Sequence, residues 1–168
     1  VTWTEAGKVS SNSASDLLPT PIPTENPVKE VALSGVRIDP SECGSYDIDT
    51  DTISINDTRT GEGESTFMYF PIPMTVSPGE TLRVTISGPS WGSNDFRIWT
   101  TPAGSEGTGD FVENSSTFLD PKKNADGSYT GTVEVTAKDR ECNRITLKAQ
   151  WGVKIEGLVI SKITVERV

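Results

Sequence analysis

The sequence predicts an all-β domain, a sandwich or barrel of antiparallel strands, and three observations point there. Apolar and polar residues alternate in short runs such as TLRVTIS, SYTGTVEVTA and RITLKAQW, the period of a strand with one buried face. Turn signals such as SPGE, Asp126-Gly127 and KDRECN separate those runs, and 15 Gly and 11 Pro punctuate the chain. No stretch of eleven or more residues carries a helical period. About seven to nine short strands divided in this way fit an antiparallel sandwich or barrel.

In chain order, residues 1–30 read as a linker or N-terminal extension, because SSNSAS is low in complexity and PTPIPTENP favours extended polyproline geometry. The domain is expected over residues 31–168. Val36, Ile38, Ile48, Ile53 and Ile55 begin the alternation. TFMYFPIPM, residues 66–74, is aromatic enough for a strand, although Pro71 and Pro73 bar a central ladder position at its end. Tyr69 falls on the face opposite Met68 and Phe70. TLRVTIS places Leu82, Val84 and Ile86 inward, with Arg83 and Thr85 across from them.

The stretch ISGPSWGSNDFRIWTTP then turns at Trp91 and enters a strand in which Phe96 and Ile98 face the core. Asp95, Arg97, Trp99 and Thr101 share the opposite face. Residues 102–128 are a long polar excursion, a length that usually means function or poor order. Later strands direct Tyr129, Val133, Val135 and Ala137 inward, then Ile145, Leu147 and Ala149, with Thr146, Lys148 and Gln150 outward. GVKIEG reads as a link, and LVISKITVERV as a single closing strand.

Composition narrows the function. A chain of 168 residues suits one domain plus a tail, and a monomer is expected. Its formal charge of −9 repels phosphate backbones and anionic bilayers, so neither nucleic acid nor a membrane is an expected partner. No apolar run is long enough to span a bilayer. The chain has no His, which removes the commonest general base and the commonest transition-metal ligand. No enzyme is expected. Asp95 and Glu134 form a conceivable carboxylate pair for glycoside hydrolysis, but the chain offers little from which to build a deep pocket.

No cofactor is expected. Asp47, Asp49 and Asp51 offer oxygen ligands at alternate positions that suit a structural calcium ion, yet without the Gly and distal Glu of an EF-hand loop a solvated acidic face is the better account. Cys43 and Cys142 either form one disulfide, worth about 4 kcal/mol by loop closure, or are unrelated thiols.

An Arg and an Asp beside an exposed indole suit a polyhydroxylated ligand. The axial C–H groups of a pyranose form a weakly apolar face that stacks on an aromatic ring, and polar side chains select among hydroxyl patterns. Trp99, flanked by Asp95 and Arg97, is therefore the leading contact, and Trp91, after Gly88-Pro89, is expected as an exposed ring in a turn. Trp151 is in phase with the inward residues of its strand, so core rim and binding contact both stay open. Tyr69, Tyr46 and Glu134 are weaker candidates.

Three stretches, SNDFRIWTTPAGSEG, ECNRITLKAQWG and GLVISKITVERV, reached after a Pro- and Thr-rich linker, carry a resemblance over residues 31–168. They resemble the jelly-roll carbohydrate-binding modules of bacterial plant cell-wall hydrolases, of the type that binds glycan chains. The resemblance implies Trp99 as the strand-borne stacking residue and Trp91 as a loop-borne ring. It further implies Gln150 and Lys148 as hydroxyl-binding neighbours, with Trp151 where that strand meets a loop. The C-terminus ITVERV lacks the Asp that ligates a structural calcium in many such modules.

The resulting expectation is a noncatalytic module, secreted or surface-attached in a bacterium. It would hold a parent glycoside hydrolase in the same chain against β-1,4-linked plant cell-wall polysaccharide, with cellulose-type β-glucan or xyloglucan before xylan or mannan. The rival is a structural or adhesive β-sandwich that binds a protein partner. The two are separated by whether Trp91 and Trp99 are exposed together around Arg97.

Overall fold

The computed structural model describes residues 26–92, 96–102, 104, 117–149, 152 and 154–168. Among these the regular structure is thirteen strands and two single turns of 3-10 helix, Leu33–Gly35 and Ser41–Cys43. One sheet has the order β1 (Lys29–Glu30), β13 (Lys162–Arg167), β6 (Thr81–Gly88), β10 (Tyr129–Thr136) and β9 (Lys122–Lys123). The second has β2 (Arg37–Asp39), β5 (Phe67–Val76), β11 (Cys142–Ala149), β7 (Phe96–Thr101) and β8 (Thr117–Leu119). A small third sheet has β12 (Ile155–Ile160), β4 (Thr52–Asp57) and β3 (Gly44–Asp47).

The strand pairs within these sheets are antiparallel. Successive long strands change sheet: β5, β7 and β11 lie in one, and β6, β10 and β13 in the other. The domain is thus an antiparallel β-sandwich of jelly-roll order, as expected. β1 belongs to the segment expected as linker, and Asn26 donates its side-chain amide to the Arg167 carbonyl at 3.0 Å, so the sandwich takes in residues before 31. Residues 1–25 lie outside the described set.

The first sheet follows its alternation closely. Leu82, Val84 and Ile86 of β6 are fully buried. On its outer face Arg83 pairs with Glu134 and Glu166, each at 2.9 Å, and Thr81 and Thr85 share hydrogen bonds with Thr136 and Thr132. The second sheet departs from simple alternation, because residues 145–149 of β11 are buried in both phases.

β5 runs through both prolines, and the ladder to β11 shifts register between the pairs Arg144–Pro71 and Cys142–Val76. A bulge there accommodates residues that cannot donate a ladder hydrogen bond. The closing segment is two strands rather than one: β12 begins inside GVKIEG, and the chain breaks at Ser161 before β13, so the two pair with different sheets. The polar excursion holds two short strands, β8 and β9, that sequence patterning missed.

The structure also bears on the two thiols and the three aspartates, which the sequence left open or read as a solvated face. Cys43 and Cys142 are free thiols, each buried at its own place, one at the end of a 3-10 turn and the other at the start of β11. Asp47, Asp49 and Asp51 do not line one strand face, because β3 ends at Asp47 and a turn follows. Asp47 Oδ1 instead accepts from the backbone N–H groups of Asp49 and Thr50, and Asp51 accepts from the Tyr46 hydroxyl at 2.9 Å. Among the described residues no group of three His, Cys, Asp or Glu is placed to hold a metal ion.

Candidate functional site

Strand register, which no single sequence displays, assembles a second polar and aromatic layer on the outer face of the second sheet. One row crosses all five strands: Asp39 of β2, Phe67 of β5, Lys148 of β11, Arg97 of β7 and Phe118 of β8. The next row is Arg37, Tyr69, Thr146 and Trp99, and a third sets Arg144 between Pro71 and Thr101. Neither Tyr69 nor Trp99 belongs to the hydrophobic core cluster, which lies on the other side of this sheet.

Within the layer, cations sit over rings. The Arg97 guanidinium lies 4.2 Å from the Phe118 ring centroid, and those of Arg37 and Arg144 lie 5.5 and 5.7 Å from the Tyr69 ring. Phe67 and Tyr69 stack with centroids 6.0 Å apart and rings nearly parallel. Arg144 also donates to the Pro102 carbonyl at 2.8 Å, and Arg37 approaches the Asp39 carboxylate at 3.8 Å. Thr146 and Thr101 share a hydroxyl hydrogen bond of 2.5 Å. Burial, and secondarily the positive charge of Arg97, pull the Lys148 ammonium below its ordinary range.

The accessible part of the layer is its margin. Phe118 is 50% exposed, one of four large hydrophobic residues left open to solvent among the described residues. Arg37 is exposed, and Phe67, Arg97 and Arg144 are partly so. Trp99 and Tyr69 are each only 1% exposed.

These positions correct several expectations. Trp99 does lie opposite Phe96 and Ile98, but the phase of an alternation gives a direction and not its wetness, and the ring is buried. Tyr69 and Lys148 are likewise on the predicted face and buried there.

Trp91 is no exposed loop ring. The Val159 N–H donates to the Ser90 carbonyl at 2.9 Å, and Ser90 Oγ donates to the Gly157 carbonyl, pinning the turn to β12. The absence of a Cβ at Gly88 permits this approach, since one would fall 1.8 Å from the Val159 carbonyl oxygen. The Trp91 indole consequently enters the core and meets Phe96 edge-on at 5.5 Å.

Asp95, Gln150 and Trp151 lie outside the described residues. Glu134 is on the outer face of the other sheet, committed to Arg83. Tyr46 lines a separate groove of about 570 Å³ with Glu30, Ile48 and Asp51. Phe118, Phe67, Arg37 and Arg144 are among the members of the layer that sequence reasoning did not select. Phe118 sits in a three-residue strand without alternation, and the others gain their company only through pairing across strands.

No family model matches the chain, and no curated protein matches it in sequence. Similar solved structures include a family 32 carbohydrate-binding module from a family 31 glycoside hydrolase of Clostridium perfringens. That similarity has 7% identity and a TM-score of 0.43, covering 83% of this chain and 95% of that one. Another is a chitosan-binding module of a chitosanase/glucanase from a Paenibacillus species, at 12% identity and a TM-score of 0.36, covering 84% of this chain and 94% of that one. Both neighbours are carbohydrate-binding modules, and at these scores neither likeness transfers a site to this chain.

Proposed function

We propose that this chain is a noncatalytic glycan-binding module whose ligand lies along the outer face of the β2-β5-β11-β7-β8 sheet. The observation that supports this reading is the five-strand row from Asp39 to Phe118, which brings rings and cations together on a face apart from the core. Phe67 and Phe118 stand three inter-strand steps apart, about 14 Å, a span for a chain rather than for one small molecule. A sugar ring stacks on the open face of Phe118, while Arg97 and Arg37 donate to hydroxyl oxygens.

In this proposal the ligand is a plant cell-wall polysaccharide, with β-1,4-linked chains the first to try. The module belongs to a secreted bacterial hydrolase and works by raising the local substrate concentration. The burial of Trp91 and Trp99 favours the second reading, a structural or adhesive sandwich that meets a protein.

Native affinity electrophoresis through gels containing xyloglucan, β-glucan, xylan, mannan or pectin separates the two readings. Half of Phe118 remains to be covered, which is worth about 1 kcal/mol, so Phe118→Ala is expected to weaken binding roughly fivefold with the fold intact. If no gel retards the native protein, the glycan reading is abandoned for the protein-contact one.

A further inference from the structure

The groove of about 570 Å³ lies between the 3-10 turn that follows β1 and the turn that joins β3 to β4, and no residue of the three cross-strand rows lines it. Small-ligand sites typically have volumes of about 300–1,000 Å³. Its floor is apolar, formed by the buried Val31 and Leu33. Its lip carries the partly buried Tyr46 ring and Ile48, which is 80% exposed. Turn chemistry favours Gly, Asn, Asp or Ser at such a place, and a β-branched side chain this open adds little to the core. The turn is nevertheless held in one shape. Asp47 Oδ1 accepts from the Asp49 and Thr50 N–H groups, the hydroxyls of Thr50 and Thr52 share a hydrogen bond of 2.8 Å, and the Tyr46 hydroxyl donates to Asp51 Oδ1.

Resting on the glycan reading above, we infer that this groove is a second saccharide site, for an uncharged sugar whose C–H face lies on Tyr46 and Ile48 while its hydroxyls donate to Asp51 and Glu30. The lining asks for a ligand that is apolar on one side and rich in donors on the other, and a pyranose is both. With Oδ1 engaged by Tyr46, Asp51 Oδ2 is left as an oriented acceptor, and hydrogen bonds to a carboxylate are roughly twice as strong as neutral ones. The same carboxylates, in a chain of net charge −9, repel a uronate. A basic peptide could lay an aliphatic stem on Ile48, but Glu30 already pairs with Lys162 at 3.6 Å, which leaves the newcomer one carboxylate and a like charge beside it. A fixed turn is also pre-organised, so binding costs little further ordering of the backbone.

The test is an NMR titration of the full chain, following backbone amide shifts, with cellohexaose, xylohexaose, mannohexaose, hexagalacturonate and hexalysine as probes. At least one neutral hexasaccharide is expected to shift the amides of residues 31–34 and 46–51, with hexagalacturonate about tenfold weaker there or more. Asp51→Asn keeps the shape and the tolerance for the φ of 49° at this position but turns an acceptor into a donor, so it should weaken binding at this groove about tenfold or more. Ile48→Ser removes an exposed apolar surface at no cost in packing and should weaken it about threefold. Both variants should leave any shifts at Arg97 and Phe118 as they are in the native protein.

Saccharide shifts confined to the β2-β5-β11-β7-β8 sheet overturn the inference and leave the glycan-binding reading standing. Equal binding of hexagalacturonate in the groove overturns it, as do tighter binding of hexalysine there or native affinity in both variants. Silence toward every saccharide overturns both. The mapping of shifts uses the unmutated protein, so it decides the matter even where a variant fails to fold.

Discussion

Replacing Asp57 by Asn tests what holds the start of β5, and with it Phe67 and Tyr69, in place. Asp57 ends β4 and is 4% exposed. Its carboxylate accepts from Arg59 Nε at 2.9 Å, Arg59 Nη2 at 2.8 Å, the Arg59 backbone N–H at 3.0 Å and Thr66 Oγ1 at 2.5 Å. The adjacent residues continue the tie: Ser65 Oγ donates to the Ala149 carbonyl at 2.6 Å, and the Ala149 N–H to the Thr66 carbonyl at 3.0 Å. Asn keeps the shape but turns one acceptor into a donor that faces a guanidinium or a hydroxyl. Breaking a buried ion pair costs about 3–5 kcal/mol. The Arg59 side chain is 31% exposed and can recover water, so the lower end, about 3 kcal/mol, applies.

For a chain of this size that loss lowers Tm by roughly 6–12 °C, measured by circular dichroism at pH 7. The bidentate hydrogen bond from Arg59 chiefly holds the Asp57 carboxyl far below the usual carboxylate range, against the opposing effect of burial. A depressed native pKa stabilises the fold fully above the unfolded-state value of about 3.9, and that contribution is lost as pH falls toward the native value. The gap between wild type and Asp57→Asn should therefore narrow by about 1.2 kcal/mol between pH 7 and pH 3, from 1.36 kcal/mol per unit over about 0.9 unit. A gap below about 1 kcal/mol at pH 7, or one that does not narrow in acid, refutes the reasoning.

Trp91 packs in the core, and among the described residues its indole N–H has no hydrogen-bond partner. Trp91→Ala should cost about 3–5 kcal/mol in urea unfolding. Trp91→Phe keeps an edge contact with Phe96 and removes the orphaned donor, so it should cost less than half as much, and equal losses would show that the packing account is mistaken. Burial raises both thiols, with the Asp57 charge adding to the effect at Cys43. Neither should react with a disulfide reagent at pH 8 until denaturant is added, and a reducing agent should leave Tm unchanged; a fall in Tm on reduction would mean that Cys43 and Cys142 are bonded after all.

Local chemistry settled much of the strand pattern in advance. Leu82, Val84 and Ile86, and again Ile145 and Leu147, occupy the core in the phase their alternation gives, because a strand's side chains must alternate whatever lies around them. What alternation does not carry is the state of the other face. In β6 that face is wet and holds Arg83 and Thr85, whereas in β7 and β11 the same polar phase, Trp99, Thr146 and Lys148, is buried. Trp91 departs from expectation for a related reason: Gly88-Pro89 does signal a turn, but the pairing of Ser90 with Val159, remote in sequence, decides which way the turn leans.

The row from Asp39 to Phe118 draws one residue from each of five strands, so its composition is a property of register and not of any sequence window. Desolvating guanidinium and ammonium groups is at best neutral for stability even when each finds a partner, and an apolar layer of the same volume would fold as well or better. Arg37, Arg97 and Arg144 each lie over a ring, and Arg144 also donates to the Pro102 carbonyl, so the layer holds its cations through contacts between strands, and no single window of the sequence could display them.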